Sequence, residues 1–309
     1  MGTPDPDPIH GTDPISPRSA RVAAARRLVR RNFRAKDRRF LAEGPQAVRE
    51  AVGAVVGGGC ADGGSGGGPH AAPSALVELF ATAEAAGRHP EILCGARESG
   101  ARVHLADPQT LDGIAQTVSP QGLVGVCRFT DSPLEEVLAA RPRLVAVLAH
   151  VRDPGNAGTV LRCADAAGAD AVILTDASVD LYNPKTVRAS AGSLFHLPVA
   201  VGVPVAEAAE GLRGAGVRLL AADGAGERDL DDELDEGAMS GPTGWIFGNE
   251  AWGLPEETRA LADEVVRVPI HGRAESLNLA TAAAVCLYAS ARAQRSAGRR
   301  REGSGGDGT

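Results

Sequence analysis

The spacing of apolar positions changes character near the middle of the chain. In the first half Val22, Ala25, Leu28, Val29 and Phe33 recur at helical spacing, so a helix is predicted from about Ser16–Ser19 with arginines on its other face. RFLAEGPQAVREAV follows as a short apolar piece and a helix, then ALVELFATAEAAG, EILCGA, ARVHLA, a helix over 108–118 and GLVGVCRF. Short strands and helices alternate there, which predicts a small α/β domain over 18–130. From residue 144 the runs become continuous: LVAVLAHV reads as a strand buried on both faces. Behind it come a helix over 157–167, strand AVILT, a helix after Asn183-Pro184, strand HLPVAVGV, a helix over 205–215 and strand VRLLAAD. WIFG, helix PEETRALAD, strand VVRVPI and an Ala-rich helix from Leu277 to about Ala297 complete the series. Strands alternating with helices predict an α/β fold with a mostly parallel sheet, helices on both faces, and ligands at the strands' carboxyl ends.

Residues 1–17, proline-rich and acidic, read as a disordered leader, and 298–309 as a disordered tail. GGGCADGGSGGGP at 57–69 is a low-complexity insertion outside any core, and 131–143 reads as a linker with a short helix. The main domain is then 144–297. The acidic stretch within 224–240 reads as a solvated loop.

Composition narrows the function. With 309 residues, 43% of them hydrophobic, the chain can hold two domains. Aromatic residues are only 3%, too few for an extended platform stacking many unpaired bases. No apolar run approaches the ~20 residues that cross a bilayer, and the N-terminus lacks the apolar segment of a secretory signal. Five cysteines without a C-x-x-C pair, and seven histidines without a metal-binding pattern, argue against zinc and against a disulfide framework. The expectation is a cytoplasmic protein without membrane or metal partners. Net charge is −7, yet residues 18–39 hold ten basic residues against one acid, and Arg292, Arg295, Arg299, Arg300 and Arg301 form a second cluster. Local clusters decide where a polyanion docks. Arg26, Arg27, Arg30, Arg31 and Arg34 are therefore candidate RNA contacts, against the blander reading of a solvated helix face.

Three loops could carry chemistry. HVRDPGNAGTVLRCADAAGAD (150–170) leaves a buried strand and enters a helix that Asn156 can cap, with Arg162 able to reach a phosphate. GWIFGNEAWGLPEE (244–257) ends a strand at Gly248, where a flat ligand can approach main chain, and places the Glu250 carboxylate two positions on. VPIHGRAESLNLATAAAVCLYASAR (268–292) ends a strand near Ile270, and Ser276-Leu277-Asn278 opens a helix with Ser276 a reasonable cap. Alone, each loop is explained by ordinary strand and helix ends.

In this order, D-P-G-N-A-G with Arg162, F-G-N-E-x-x-G, and V-P-I followed by S-L-N resemble the three motifs of the SpoU (TrmH-type) RNA ribose 2′-O-methyltransferases of the SPOUT superfamily. The likeness covers roughly 144–294. Residues 18–130, ending in SPQGLVGV, resemble more loosely the family's N-terminal RNA-binding domain. The resemblance implies a trefoil-knotted C-terminal domain, a homodimer, S-adenosylmethionine as cofactor, and structured RNA as substrate, ribosomal (23S) RNA favoured over tRNA. It implies cofactor contacts at Gly248, Val268, Ile270 and Leu277, and a catalytic group of Asn156, Arg162, Glu250, Ser276 and Asn278. A free pKa of roughly 12.5–13.8 makes arginine a poor literal base. Arg162 is therefore expected to clamp the target phosphate and polarise the 2′-hydroxyl, held by Glu250, Ser276 and Asn278. A Rossmann-type enzyme is the first rival, but Gly224-Ala225-Gly226 leads into acids rather than a helix. The other rival is a non-catalytic RNA-binding protein, disfavoured because the motif residues are all present together.

Overall fold

The computed structural model describes residues 14–53, 74–249 and 252–304. The Gly-rich insertion at 57–69, Cys60 and most of the expected leader lie outside the described residues. The chain forms two compact units, 1–129 with 182–195, and 130–181 with 196–309.

In the first unit, β1 (Arg39–Glu43), β2 (Leu76–Ala81), β3 (Arg102–Leu105) and β4 (Leu123–Arg128) form a sheet in the order β1-β4-β2-β3. Only the β2–β3 pair is parallel. The predicted N-terminal helix is two: α1 (Ala20–Arg27), capped by the Ser19 hydroxyl, and α2 (Arg31–Asp37). Val22, Ala25 and Leu28 pack with Leu41, Phe80, Leu111, Ile114, Val124 and Val126. Ile15, expected within the leader, packs on this core and donates its N–H to the Leu105 carbonyl at 2.7 Å.

The helix Pro184–Ser190, read from sequence as part of the second domain, belongs to the first unit. The reason is aromatic. Tyr182 stacks on Phe129 with centroids 3.7 Å apart and tilts against Phe40 at 4.7 Å, and Phe195 stacks on Phe40 at 6.0 Å.

The second unit is built on β5 (Leu144–Leu148), β6 (Ala171–Thr175), β7 (Val199–Val203), β8 (Arg218–Ala222), β9 (Arg228–Asp229), β10 (Thr243–Phe247) and β11 (Glu264–Arg267). Their order is β7-β6-β5-β10-β8-β11-β9, and every pairing is parallel. Alternation sorts the side chains. Val145, Val147, Ile173, Leu219, Ala221 and Ile246 meet the helices 134–139 and 205–214 on one face. Trp245 faces the other way, where the long helix Leu279–Ser304 packs, and its indole N–H donates to Ser290 Oγ at 2.8 Å. That satisfies the one polar atom of a fully buried ring.

Four sequence expectations change here. Residues 131–143 are part of the second unit, since Leu134 and Val137 enter its core and the Ser132 N–H donates to the Val199 carbonyl. The stretch expected as a solvated loop is structured: β9 pairs with β11, and a helix follows over Leu230–Asp235. Its buried Glu233 is held by Arg218 at 2.6 Å and Arg228 at 3.2 Å, so charge pairing does what apolar periodicity does elsewhere. The strand expected over 265–270 ends at Arg267, just before Pro269, which has no N–H for a ladder. The final helix passes Ala297 and runs to Ser304, its Ala and Arg residues being strong helix formers. Among the described residues no helix is long and apolar enough to cross a membrane.

Candidate active site

The three motif loops meet at the carboxyl ends of β5, β8, β10 and β11. β5 leads to His150, which adopts a left-handed φ of +61°, unusual for a non-glycine residue. The helix 154–167 then starts at Pro154, earlier than predicted. Asp153, not Asn156, is its cap: the Asp153 carboxylate accepts the Asn156 N–H at 2.8 Å, so the Asn156 side chain is not the capping group. That side chain turns to the third loop, where Asn278 Nδ2 donates to Asn156 Oδ1 at 3.1 Å, joining residues 122 apart in sequence. Asn278 also supersedes Ser276 as cap of the last helix, accepting the Ala280 N–H at 2.9 Å.

The second loop is closed on itself. The Asn249 and Gly253 backbones exchange two hydrogen bonds of 2.9 Å, and Gly253 sits at φ +67°. A Cβ on Gly248 would lie 2.5 Å from the Gly253 carbonyl oxygen, so glycine is required for that approach. The buried Asn249 side chain donates to the His150 carbonyl at 3.1 Å and ties this loop to the first.

The second and third loops, with the chain leaving β8, wall a pocket of about 320 Å³. Gly248, Val268, Ile270 and Leu277, all singled out from sequence, line it together with Ser276. Asp223 is a wall residue that sequence reasoning passed over. Its carboxylate accepts the N–H groups of Ala225 at 2.9 Å and Leu254 at 3.2 Å, bracing the glycine loop from β8. A lone aspartate ending a strand carries no signal that it will reach a loop 31 residues later.

Arg162 is exposed on the helix 154–167, eight residues past its start rather than the turn and a half expected. Asn156, Thr159 and Arg162 follow one i, i+3 row, with roughly 9 Å of axial rise from the first to the last. Among the described residues no hydrogen bond or ion pair engages Arg162. Glu250 lies outside the described residues. Burial pushes the neighbouring Cys163 thiol up, against the pull of the Arg162 charge, so the sulfur stays protonated and is no nucleophile at neutral pH. Among the described residues no cluster of His, Cys, Asp or Glu could hold a metal ion.

On the first unit, Arg26, Arg27, Arg30 and Arg31 are exposed, as a phosphate-binding face requires. Arg34 does not belong to that face. It is 3% exposed, and its guanidinium donates to the carbonyls of Leu28 at 2.9 Å and Val29 at 2.6 Å, satisfying acceptors at the end of α1. Arg34→Ala should therefore destabilise the protein by roughly 1.5–3 kcal/mol and leave the salt dependence of RNA binding unchanged. Arg30→Ala should instead reduce that salt slope by about one. Thermal unfolding and RNA titrations at several salt concentrations separate the two, and the opposite assignment would refute this division of roles.

A parallel α/β sheet with a glycine-walled pocket at its strand ends, lined by two of the motif loops, defines an enzyme of the nucleotide-cofactor-binding class. Residues 143–288 match the SpoU rRNA methylase family, and residues 70–133 match the RNA 2′-O ribose methyltransferase substrate-binding family. The chain is 30% identical over 276 residues to the 23S rRNA (guanosine(2553)-2′-O)-methyltransferase RlmP of Bacillus subtilis, covering 88% of this chain and 96% of that one. It is 34% identical over 227 residues to the 23S rRNA (guanosine-2′-O-)-methyltransferase RlmB of Bordetella pertussis, covering 72% and 91%. Its fold resembles the crystal structure of an AdoMet-bound rRNA methyltransferase from Sinorhizobium meliloti, with a TM-score of 0.73 at 30% identity, over 90% of this chain and 96% of that one. The chain belongs to the SpoU rRNA methylase family.

Proposed function

We propose that the protein transfers a methyl group from S-adenosylmethionine to a ribose 2′-hydroxyl of 23S ribosomal RNA. The observation that carries this reading is the pocket itself, in which Gly248, Val268, Ile270 and Leu277 converge beside the Asn156–Asn278 pair. The pocket suits this cofactor. Its volume of about 320 Å³ lies in the range of small-molecule sites. Backbone at Gly248 and Gly224 admits a flat ring, Val268, Ile270 and Leu277 offer it apolar cover, and Asp223 and Glu275 bring carboxylates suited to hydroxyls and to positive charge. When bound, the cofactor supplies a methyl group on a positively charged sulfur. The rest falls to the chain. Positioning supplies much of the rate in such a substitution. Arg162, exposed and uncommitted among the described residues, clamps the target phosphate and polarises the 2′-hydroxyl. Asn278, itself fixed by Asn156, orients the acceptor together with Ser276, and Glu250 supplies a carboxylate to hold Arg162. The exposed arginines 26, 27, 30 and 31 of an RNA-binding domain over 18–130 contact phosphates.

Three further features belong to this reading. The stretch 268–278 passes the pocket before the last helix returns over β5, β8 and β10, a path suited to a trefoil knot. Val285 (39% exposed) and Tyr288 (48%) stand out from that helix as apolar surface for a second copy, giving a homodimer. A cytoplasmic location belongs to the same reading, supported by the names of the two relatives as 23S rRNA methyltransferases of bacteria.

The test is incubation with methyl-labelled S-adenosylmethionine and, separately, unmodified 23S rRNA and tRNA, followed by digestion to nucleosides. Label in a 2′-O-methyl nucleoside of 23S rRNA is expected. Label on a base would overturn the ribose assignment, label only in tRNA the substrate, and absence of both cofactor binding and transfer the enzyme itself.

A further inference from the structure

Trp252 combines a large exposed ring with a position at the pocket rim. The chain has two tryptophans: Trp245 is fully buried with its N–H satisfied, whereas Trp252 leaves 57% of its surface in water. A large aromatic ring left in water beside a ligand pocket and a cation is available to stack on a flat ligand. The backbone on either side of Trp252 is pinned: Asn249 and Gly253 exchange two hydrogen bonds, and Asp223 accepts the N–H of Leu254. The Arg152 guanidinium lies 5.9 Å from the indole centroid. Arg152 follows His150 in the first loop by two residues, and the Asn249–His150 hydrogen bond holds those two loops together. The ring therefore stands one residue from Gly253, a wall of the pocket, with a cation beside it.

From this arrangement we infer that Trp252, backed by Arg152, is a stacking site for an unpaired nucleobase of the RNA substrate, at the rim of the methyl-donor pocket. The inference rests on the proposed RNA methyl transfer. An indole face accepts any base, because every base has a π-face, and a guanidinium alongside supports both the ring and a neighbouring phosphate. The site positions the nucleotide and takes no part in bond making. It is a single platform, which a chain poor in aromatic residues can supply.

The test uses the full chain and its tryptophan emission, in which Trp252 is the accessible indole. Guanosine and uridine 5′-monophosphates should quench the wild type, ribose 5-phosphate should not, and Trp252→Leu should abolish the nucleotide effect. With transcribed 23S rRNA as acceptor, Trp252→Leu should raise the RNA KM roughly 5- to 150-fold, while Trp252→Phe recovers most of it and the Kd for S-adenosylmethionine stays unchanged in both. Equal quenching by ribose 5-phosphate, or an unchanged RNA KM in Trp252→Leu, would overturn the platform. Base-dependent quenching in a protein that methylates no RNA would uphold the platform and sink the methyl-transfer reading instead.

Discussion

Replacing Gly248 by alanine is expected to weaken S-adenosylmethionine binding by roughly 10- to 100-fold, because the pocket wall has no room for a methyl group. The added Cβ would fall 2.5 Å from the Gly253 carbonyl oxygen and 2.6 Å from its carbon, which are backbone atoms with no rotamer to yield. Relief requires the Asn249–Gly253 bridge to open. Opening it also strains the Leu254–Asp223 and Asn249–His150 hydrogen bonds, so the whole rim would loosen. The sheet beneath does not depend on the rim, and thermal unfolding should fall by much less than binding does. Calorimetric titration of the cofactor against wild type and variant decides the matter. A folded variant that binds S-adenosylmethionine with wild-type affinity would remove this loop from the cofactor site.

The second large effect is expected at Arg162. Arg162→Lys should lower kcat/KM for RNA methylation by roughly 10²–10³, in the range seen when a single donor to a developing charge is lost. Lysine keeps the positive charge and loses the planar fork, so the comparison isolates bidentate geometry from charge. The side chain is exposed and free of other described partners, so the substitution should leave stability within about 0.5 kcal/mol. A pH–rate profile completes the test. If the lysine variant keeps most activity, charge alone suffices and the clamp is refuted. If its activity appears only at high pH, the group removes a proton rather than positioning a phosphate.

How far the sequence could be read depends on the kind of information each element carries. Continuous apolar runs at 144–148 and 171–174 are strands because both faces of a parallel sheet are covered, and that condition is written in every residue of the run. Four residues of the pocket lining, Gly248, Val268, Ile270 and Leu277, were legible through the family resemblance, whereas the wall residue Asp223 was not. The acidic stretch around 228–236 was misread because its fold is specified by Arg218, Arg228 and Glu233, an ion-paired set that leaves no apolar period.

By itself, the sequence determined most of the strands and helices, the parallel sheet and the family, and through the family resemblance four residues of the pocket lining. All of these follow from short-range periodicity and from motifs contained within single loops. Only the tertiary structure decided that Arg34 turns inward to the end of α1 while its neighbours face water, that Asn156 leaves capping to Asp153 and pairs with Asn278, and that Tyr182 and Phe195 draw their segment to the first unit. Each of these turns on which partner waits at the other end of a contact. A one-dimensional pattern states that a group needs a partner, and three-dimensional packing alone supplies it.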